Sequence, residues 1–245
     1  MLAKLTEDTT AGITSLELEI NGRRAHYLKA GSGPPVVLLH GGASDSRDWL
    51  GAMVALSQHF TCYAPDLIGF GRNERDEAGY YLSDFIEFIE DFIIALRLDN
   101  PDIIGHSFGG RVGAGIALRG RVKTRKLVLV DSSGLGKVTR FGSSLMTVFW
   151  TLRQLFHRPQ PYPRFLVKEG EDTRWLCVDA LPALKNPTLI MWKRHDPYFP
   201  VSQAHRAANL IAGARLEILP GFGHAPSKQN IEAFNRLLLD FLNED

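Results

Sequence analysis

The sequence predicts an α/β protein built on a mostly parallel twisted sheet with helices on both faces. Three observations carry that reading. Short unbroken apolar runs, such as Pro35-Val36-Val37-Leu38-Leu39, have the character of strands covered on both sides. Such runs alternate along the chain with longer segments of helical apolar spacing, as βαβ units require. An opening hairpin adds an antiparallel edge.

The elements follow in order. Ile13, Leu16, Leu18 and Ile20 alternate with polar neighbours and run into Asn21-Gly22. Both turn residues tolerate positive φ, so this is a strong hairpin signal, with Arg23 to Lys29 as the returning strand. Pro35 to His40 is the first buried strand, followed by a helix near 46–57 and a strand over Thr61 to Ala64 that ends in Pro65-Asp66. After the turn-rich Leu67 to Asn73, the apolar residues Leu82, Phe85, Ile86, Ile89, Phe92, Ile93 and Leu96 keep helical spacing, with Ser83 a candidate cap. Asp102-Ile103-Ile104 is a short strand entering Gly105, and Val112 to Leu118 is a helix rich in small residues. Leu127 to Val130, Thr188 to Trp192 and Leu216 to Leu219 are further strands, His205 falls on a helix, and Ile231 to Leu242 is a closing amphipathic helix.

The alternation breaks once. Between 134 and 186 there is no clear strand, but Leu145, Val148, Phe149, Leu152, Leu155 and Phe156 keep helical spacing. Pro159, Pro161 and Pro163 follow, then a second helical stretch near Thr173 to Leu181. Loops beyond about 15 residues are uncommon in a compact domain, so this segment reads as a short inserted helical cap. The expected organisation is a core of residues 1–133 and 187–245 with a cap at 134–186.

Composition limits the function classes. The chain has 245 residues, 44% apolar and 22% charged, and a net charge of +1 from 28 basic and 27 acidic residues. Such a balance provides no global field for nucleic acid or an anionic membrane, so a small-molecule substrate is the expected partner. The run Arg119, Arg121, Lys123, Arg125 and Lys126 follows a helix, where cations suit the C-terminal dipole, and reads as a solvated end. Cys62 and Cys177 form neither a disulfide framework nor a zinc spacing, and no metal or other cofactor is expected. The N-terminal stretch lacks the apolar core of a secretory signal and no long apolar run is present, which makes a reducing cytoplasm the expected location.

Gly105-His106-Ser107-Phe108-Gly109-Gly110 fits G-x-S-x-G between a strand and a helix, a turn that exposes a serine at the strand's C-terminal end. A serine hydroxyl needs an adjacent base to become a nucleophile. His26 reads as a packed strand residue, His40 as an organiser of its loop, His59 and His157 as element ends, His195 as turned away beside Asp196, and His106 as pointing away from Ser107 in a sharp turn. His224, between Gly223 and Ala225-Pro226 directly after a strand, is the residue placed to present an imidazole at the sheet's C-terminal edge. The base needs an orienting acid. Asp196 follows a strand within reach of that loop and is preferred to Asp131, which also ends a strand; Asp66 reads as a loop-bracing carboxylate.

With these motifs in place, the chain resembles the α/β-hydrolase superfamily. Five segments carry the resemblance in order: His40-Gly41-Gly42, Asp66 to Gly71, the Ser107 turn, Asp196 to Pro200, and Gly223-His224-Ala225-Pro226. The order Ser107, Asp196, His224 matches the family order of serine, acid and histidine. The resemblance implies an α/β-hydrolase fold with a cap, and an oxyanion hole formed by the backbone N–H groups of Gly42 and Phe108, with Ala43 a less favoured substitute for Gly42. The chain departs from the pattern at Lys193, where many relatives have glycine, and at Ser227-Lys228.

The leading expectation is a serine hydrolase of carboxylic esters, acting on small to medium hydrophobic substrates through an acyl-enzyme. Leu145 and Phe149, with Val148 and Leu152, are candidates to line its acyl pocket or to pack the cap on the body. Hydrolysis of a C–C bond in ring-fission-type diketones is the alternative, although no tryptophan follows His224 closely. A small-ligand receptor without turnover is the non-enzymatic alternative. Epoxide hydrolase and dehalogenase chemistry is disfavoured, because relatives of those kinds carry aspartate where this chain has Ser107.

Overall fold

The computed structural model describes residues 4–10, 12–75, 80–155, 177–225 and 230–244. Pro159, Pro161, Pro163, His157, Thr173, Pro226, Ser227 and Lys228 lie outside these residues, and with them the middle of the inserted segment.

Nine strands form one sheet among the described residues: β1 (Lys4–Thr10), β2 (Ile13–Ile20), β3 (Arg23–Ala30), β4 (Pro35–Leu39), β5 (Thr61–Pro65), β6 (Asp102–His106), β7 (Leu127–Val130), β8 (Thr188–His195) and β9 (Arg215–Phe222). Their spatial order is β1-β2-β3-β5-β4-β6-β7-β8-β9. The first three strands and the β3–β5 pair are antiparallel, and every pair from β5 to β9 is parallel. The hairpin turns at Asn21 and Gly22, whose φ values are 51° and 77°, and the register Ile20↔Arg23 closes it with two residues.

The helices are α1 (Leu50–Leu56), entered through a 3₁₀ turn at Ser46–Trp49, α2 (Leu82–Ala95), α3 (Phe108–Arg119), α4 (Arg140–Leu155), α5 (Val201–Leu210) and α6 (Ile231–Asn243). A second 3₁₀ segment spans Val178–Ala183. The helix α2 starts one residue before Ser83. Asp84, not Ser83, satisfies its first turn by accepting the Tyr81 N–H at 2.7 Å.

Period-two side-chain alternation divides the strands between two cores. Val37, Leu39, Ile103, Leu127, Leu129, Ile190 and Trp192 face α2, α3 and α5. Val36, Leu38, Ile104, Val128, Val130, Leu189 and Met191 face α1 and α6, where Trp49, Met53, Phe234 and Leu238 meet them. Burial on both faces explains why these strands read as unbroken apolar runs.

Among the strands, β1 and β8 depart most from the sequence expectation. The strand β1 is built from Lys4-Leu5-Thr6-Glu7-Asp8-Thr9-Thr10, a polar stretch with no buried-strand signature, and it forms the sheet's edge. The strand β8 continues past Trp192 through Lys193, Arg194 and His195, with Lys193 buried in it.

The basic run is also more than a solvated end. Arg119 and Arg121 bind Glu87, Glu90 and Asp91 of α2, with the Arg121–Asp91 pair at 2.7 Å. Arg125 donates to Asp102, and the buried Lys126 ammonium donates to Phe241 O at 2.8 Å, at the carbonyl end of α6. These cations tie helices to the body.

Candidate active site

The site lies where β6, β7, β8 and β9 end together. Parallel pairing brings His106 beside Val130, Val130 beside Met191 and His195 beside Phe222, so the residues after each strand emerge along one edge.

Ser107 joins β6 to α3 at φ 51° and ψ −112°, a strained conformation for a residue with a Cβ. Two glycines make the turn possible. A Cβ on Gly105 would strike the Gly109 carbonyl, and one on Gly109 would strike the Leu39 carbonyl. The Ser107 backbone is fixed on both sides: its N–H donates to Val130 O at 2.8 Å, and its carbonyl accepts from Ser133 N at 3.0 Å.

The structure brings Ser107, His224 and Asp196 together. The Ser107 hydroxyl lies 2.8 Å from His224 Nε2, and His224 Nδ1 lies 2.6 Å from Asp196 Oδ2. An ionised carboxylate only accepts, so Nδ1 carries the hydrogen and Nε2 is left to accept the Ser107 proton. Asp196 is itself held by the Tyr198 and Phe199 amides, which donate to its Oδ1 at 2.7 and 3.1 Å. The rings of Tyr198 and Phe199 stand 5.0 and 5.3 Å from the imidazole and confine it.

His40 organises its loop. Its Nδ1–H donates to Gly41 O at 2.7 Å and its Nε2 accepts from Leu67 N at 2.9 Å, while burial holds it below the ordinary imidazole range. Gly41 passes close over the site, since a Cβ there would sit 3.3 Å from Ser107 Cβ. Gly42 follows, half-buried, and Ala43 takes φ 63°. Phe108 opens α3, where the backbone N–H groups have no intrahelical acceptor, and its buried ring packs on Phe85 with centroids 4.8 Å apart.

His106 has a role beyond leaving the turn: it reaches the loop after β9. Its Nε2 lies 2.5 Å from the His224 carbonyl oxygen, and the two rings stand 5.0 Å apart. It thereby ties the elbow to the loop that carries the imidazole. Sequence reasoning missed this because the direction of a side chain leaving a left-handed turn is set by the tertiary fold. The other sequence signal was the histidine's place directly beside the serine.

Asp131 is fully buried at the end of β7 and is not in the hydrogen-bonded array. One of its oxygens, one nitrogen of His106 and one of His224 nevertheless lie within 4.8 Å of one another. Both nitrogens of His224 are already engaged, by Ser107 and Asp196, so that imidazole offers a metal ion no spare donor.

Cys62 is buried in β5, where burial pushes its thiol up to about 12, and Cys177 is buried as well. Of the cap candidates, Leu145, Val148 and Leu152 are exposed on α4, and the Phe149 side chain lies outside the described residues. The start of α4 is fastened beside the acid: Thr139 N donates to Tyr198 O at 2.8 Å, and Thr139 Oγ1 donates to Pro197 O.

No helix among the described residues is long and apolar enough to cross a membrane. The 2-hydroxy-6-oxo-2,4-heptadienoate hydrolase of Pseudomonas putida is 28% identical, covering 90% of this chain and 93% of that protein. A meta-cleavage product hydrolase from Pseudomonas fluorescens superposes with a TM-score of 0.77 at 25% identity, over 93% of this chain and 97% of that one. A Bacillus subtilis carboxylesterase shares the fold, with a TM-score of 0.78 at 21% identity, over 99% and 92% of the two chains. The sequence profile described as the alpha/beta hydrolase family matches residues 36–237, and the chain is therefore a member of that family, a hydrolase by kinship as well as by fold.

Proposed function

We propose that this hydrolase cleaves carboxylic esters of small to medium hydrophobic substrates, with Ser107 as nucleophile, His224 as base and Asp196 as the orienting acid. The observation that carries the reading is the continuous path from Ser107 Oγ through His224 to Asp196, at 2.8 and 2.6 Å.

In the first step Ser107 Oγ bonds the ester carbonyl carbon, the carbonyl π pair moves onto oxygen, and the hydroxyl proton passes to His224 Nε2. The N–H groups of Gly42 and Phe108 face the new oxyanion; the close passage of Gly41 over Ser107 and the start of α3 at Phe108 support that assignment. The oxyanion collapses, the bond to the alkoxy oxygen breaks, and that oxygen takes the proton from Nε2. Water then repeats the sequence in reverse. It gives a proton to Nε2 as it bonds the acyl carbon, and Ser107 recovers that proton as the acid departs. Asp196 keeps the Nδ1 tautomer and steadies the imidazolium.

The exposed apolar residues of α4, Leu145 above all, with Phe149 beside them in sequence, are proposed to receive the hydrophobic part of the substrate. Support comes from the fastening of Thr139, at the start of α4, to the Pro197-Tyr198 backbone, less than two turns before Leu145.

Hydrolysis of a C–C bond in a ring-fission-type diketone is the second reading. It is favoured by similarity along more than nine-tenths of the chain to hydrolases named for 2-hydroxy-6-oxo-hexa-2,4-dienoates. The same serine would add to a ketone, and the departing carbon would take the proton in place of an alkoxide. Assay of a p-nitrophenyl ester series beside a 2-hydroxy-6-oxo-dienoate decides the matter. Ester turnover exceeding dienoate turnover by kcat/KM supports the first reading, and the reverse order supports the second. Failure of a fluorophosphonate to label Ser107 overturns both.

A further inference from the structure

Asp131 is held in an arrangement with two costs. Its φ is +41°, a left-handed conformation that strains a residue with a Cβ. Its Oδ1 accepts the Lys193 N–H at 2.7 Å, but its Oδ2 is buried with no hydrogen-bond partner. A buried polar atom left this way keeps its desolvation cost without a compensating hydrogen bond. Both costs fall at the point where a carboxyl oxygen comes within 4.8 Å of a ring nitrogen of His224.

We propose that Asp131 is a second positioning acid for His224, able to orient the imidazole in place of Asp196. The inference rests on the reading of Ser107, His224 and Asp196 as the hydrolytic array. The direct bond belongs to Asp196 at 2.6 Å, and Asp131 stands behind it without one. The two acids end neighbouring strands, β7 and β8, which are paired through Val130 and Met191. A small shift of the imidazole brings Nδ1–H from one carboxyl to the other, while the His106 contact to the His224 carbonyl keeps the loop in place.

The electrostatics agree with that geometry. Burial, and then the charge of Asp196, hold the Asp131 carboxyl well above the usual carboxylate range, against the pull of the Lys193 amide and ammonium. Two like charges at one imidazole disfavour each other. Removing Asp196 therefore removes one of the forces that keep Asp131 protonated, and the vacated role falls to an oxygen already nearby. The charged and titratable groups facing Asp131 are Lys193 and Asp196 from the β8 side, His106 from β6 and His224 from the last loop.

Four proteins test this: wild type, Asp131→Asn, Asp196→Ala and the double variant. Each is followed by fluorophosphonate labelling of Ser107 and by kcat and KM on a p-nitrophenyl ester. Asp196→Ala is expected to lose about 10²-fold in kcat, and the double variant about 10⁴-fold, the scale seen when a serine array loses its acid outright. Asp131→Asn alone is expected to lose less, within about tenfold, with KM unmoved. The acid limb of the Asp196→Ala profile is expected to lie at higher pH than that of wild type.

Equal losses in Asp196→Ala and the double variant overturn the proposal, since a purely structural Asp131 has nothing to take over. Where the double variant does not fold, Asp196→Ala alone decides. A residual rate near 10⁻² with a displaced acid limb supports the proposal, and one near 10⁻⁴ of wild type overturns it. If wild-type Ser107 is not labelled at all, the underlying reading of the array has failed, which is a separate result.

Discussion

The described residues hold two Ser–His–Asp arrays with nearly the same distances. In one, Ser107, His224 and Asp196 are joined at 2.8 and 2.6 Å. In the other, Ser15 Oγ lies 2.8 Å from His26 Nε2, and His26 Nδ1 lies 2.8 Å from Asp66 Oδ2. Hydrogen-bond geometry does not separate them, but their surroundings do. Ser15 sits mid-strand in β2, paired with Thr6 on one side and Leu28 on the other, and is 2% exposed. Its oxygen also accepts from Arg72 Nη1 at 3.0 Å, which occupies electron density that an attack on carbon would need. Ser107 instead projects from a strained turn, at the start of a helix and under a glycine-lined loop. The comparison teaches that an alcohol, an imidazole and a carboxylate make a relay. A nucleophile further needs an approach path and donors aimed at the developing charge.

The largest expected difference is in turnover. Ser107→Ala should lower kcat on the best ester by about 10⁴–10⁶-fold, with the thermal midpoint little changed. Ser15→Ala should leave the rate of fluorophosphonate labelling within about threefold of wild type. Comparable losses in the two variants would break the distinction between the arrays.

Stability should show the opposite preference. Burial alone would raise the Asp66 carboxyl, but the His26 imidazole and the amides of Arg72 and Ser46 outweigh it and bring it to about 2. Its unfolded value is about 3.9, so the ionised carboxylate stabilises the fold fully above that pH, and the contribution is lost as pH falls through about 2. Asp66→Asn should cost about 2–3 kcal/mol at neutral pH and flatten the dependence of stability on pH between about 4 and 2. Urea unfolding at a series of pH values measures both. An unchanged acid slope would mean that the inner array is not the brace described here. Ser15→Ala should cost less, about 1–2 kcal/mol, as expected for losing the hydrogen bonds to His26 and Arg72 while His26 keeps its carboxylate.

The two arrays also differ in how they could be read from sequence. Ser107 was legible because its turn requires glycines at fixed spacing, and Asp196 and His224 because each directly follows a strand of a parallel sheet. The roles of His26 as a packed residue and Asp66 as a loop brace were legible singly. Their union with Ser15 was not, because three strands and a loop bring them together without any local motif. Along the fold, the buried strands were legible from their apolar runs. The polar edge β1 and the charged end of β8 were not, since hydrogen bonding to a neighbour, without an apolar run, makes them strands.

The smallest expected effect concerns what reaches the open array. A simple probe such as a fluorophosphonate needs only the serine and its relay, whereas an acyl chain must also find apolar surface. In α4, Leu145 is 42% exposed and stands one turn beyond Gly142, where a Cβ would come within 2.9 Å of Pro197 O and Tyr198 Cα of the loop that carries Asp196. If this face receives the acyl chain, Leu145→Ala should lower kcat/KM for longer p-nitrophenyl esters relative to acetate by less than about tenfold, the discrimination a partly exposed apolar contact provides. The labelling rate should stay where it was, because the relay is untouched. A uniform change across the ester series would place the acyl chain elsewhere and leave Leu145 as part of the cap's outer surface.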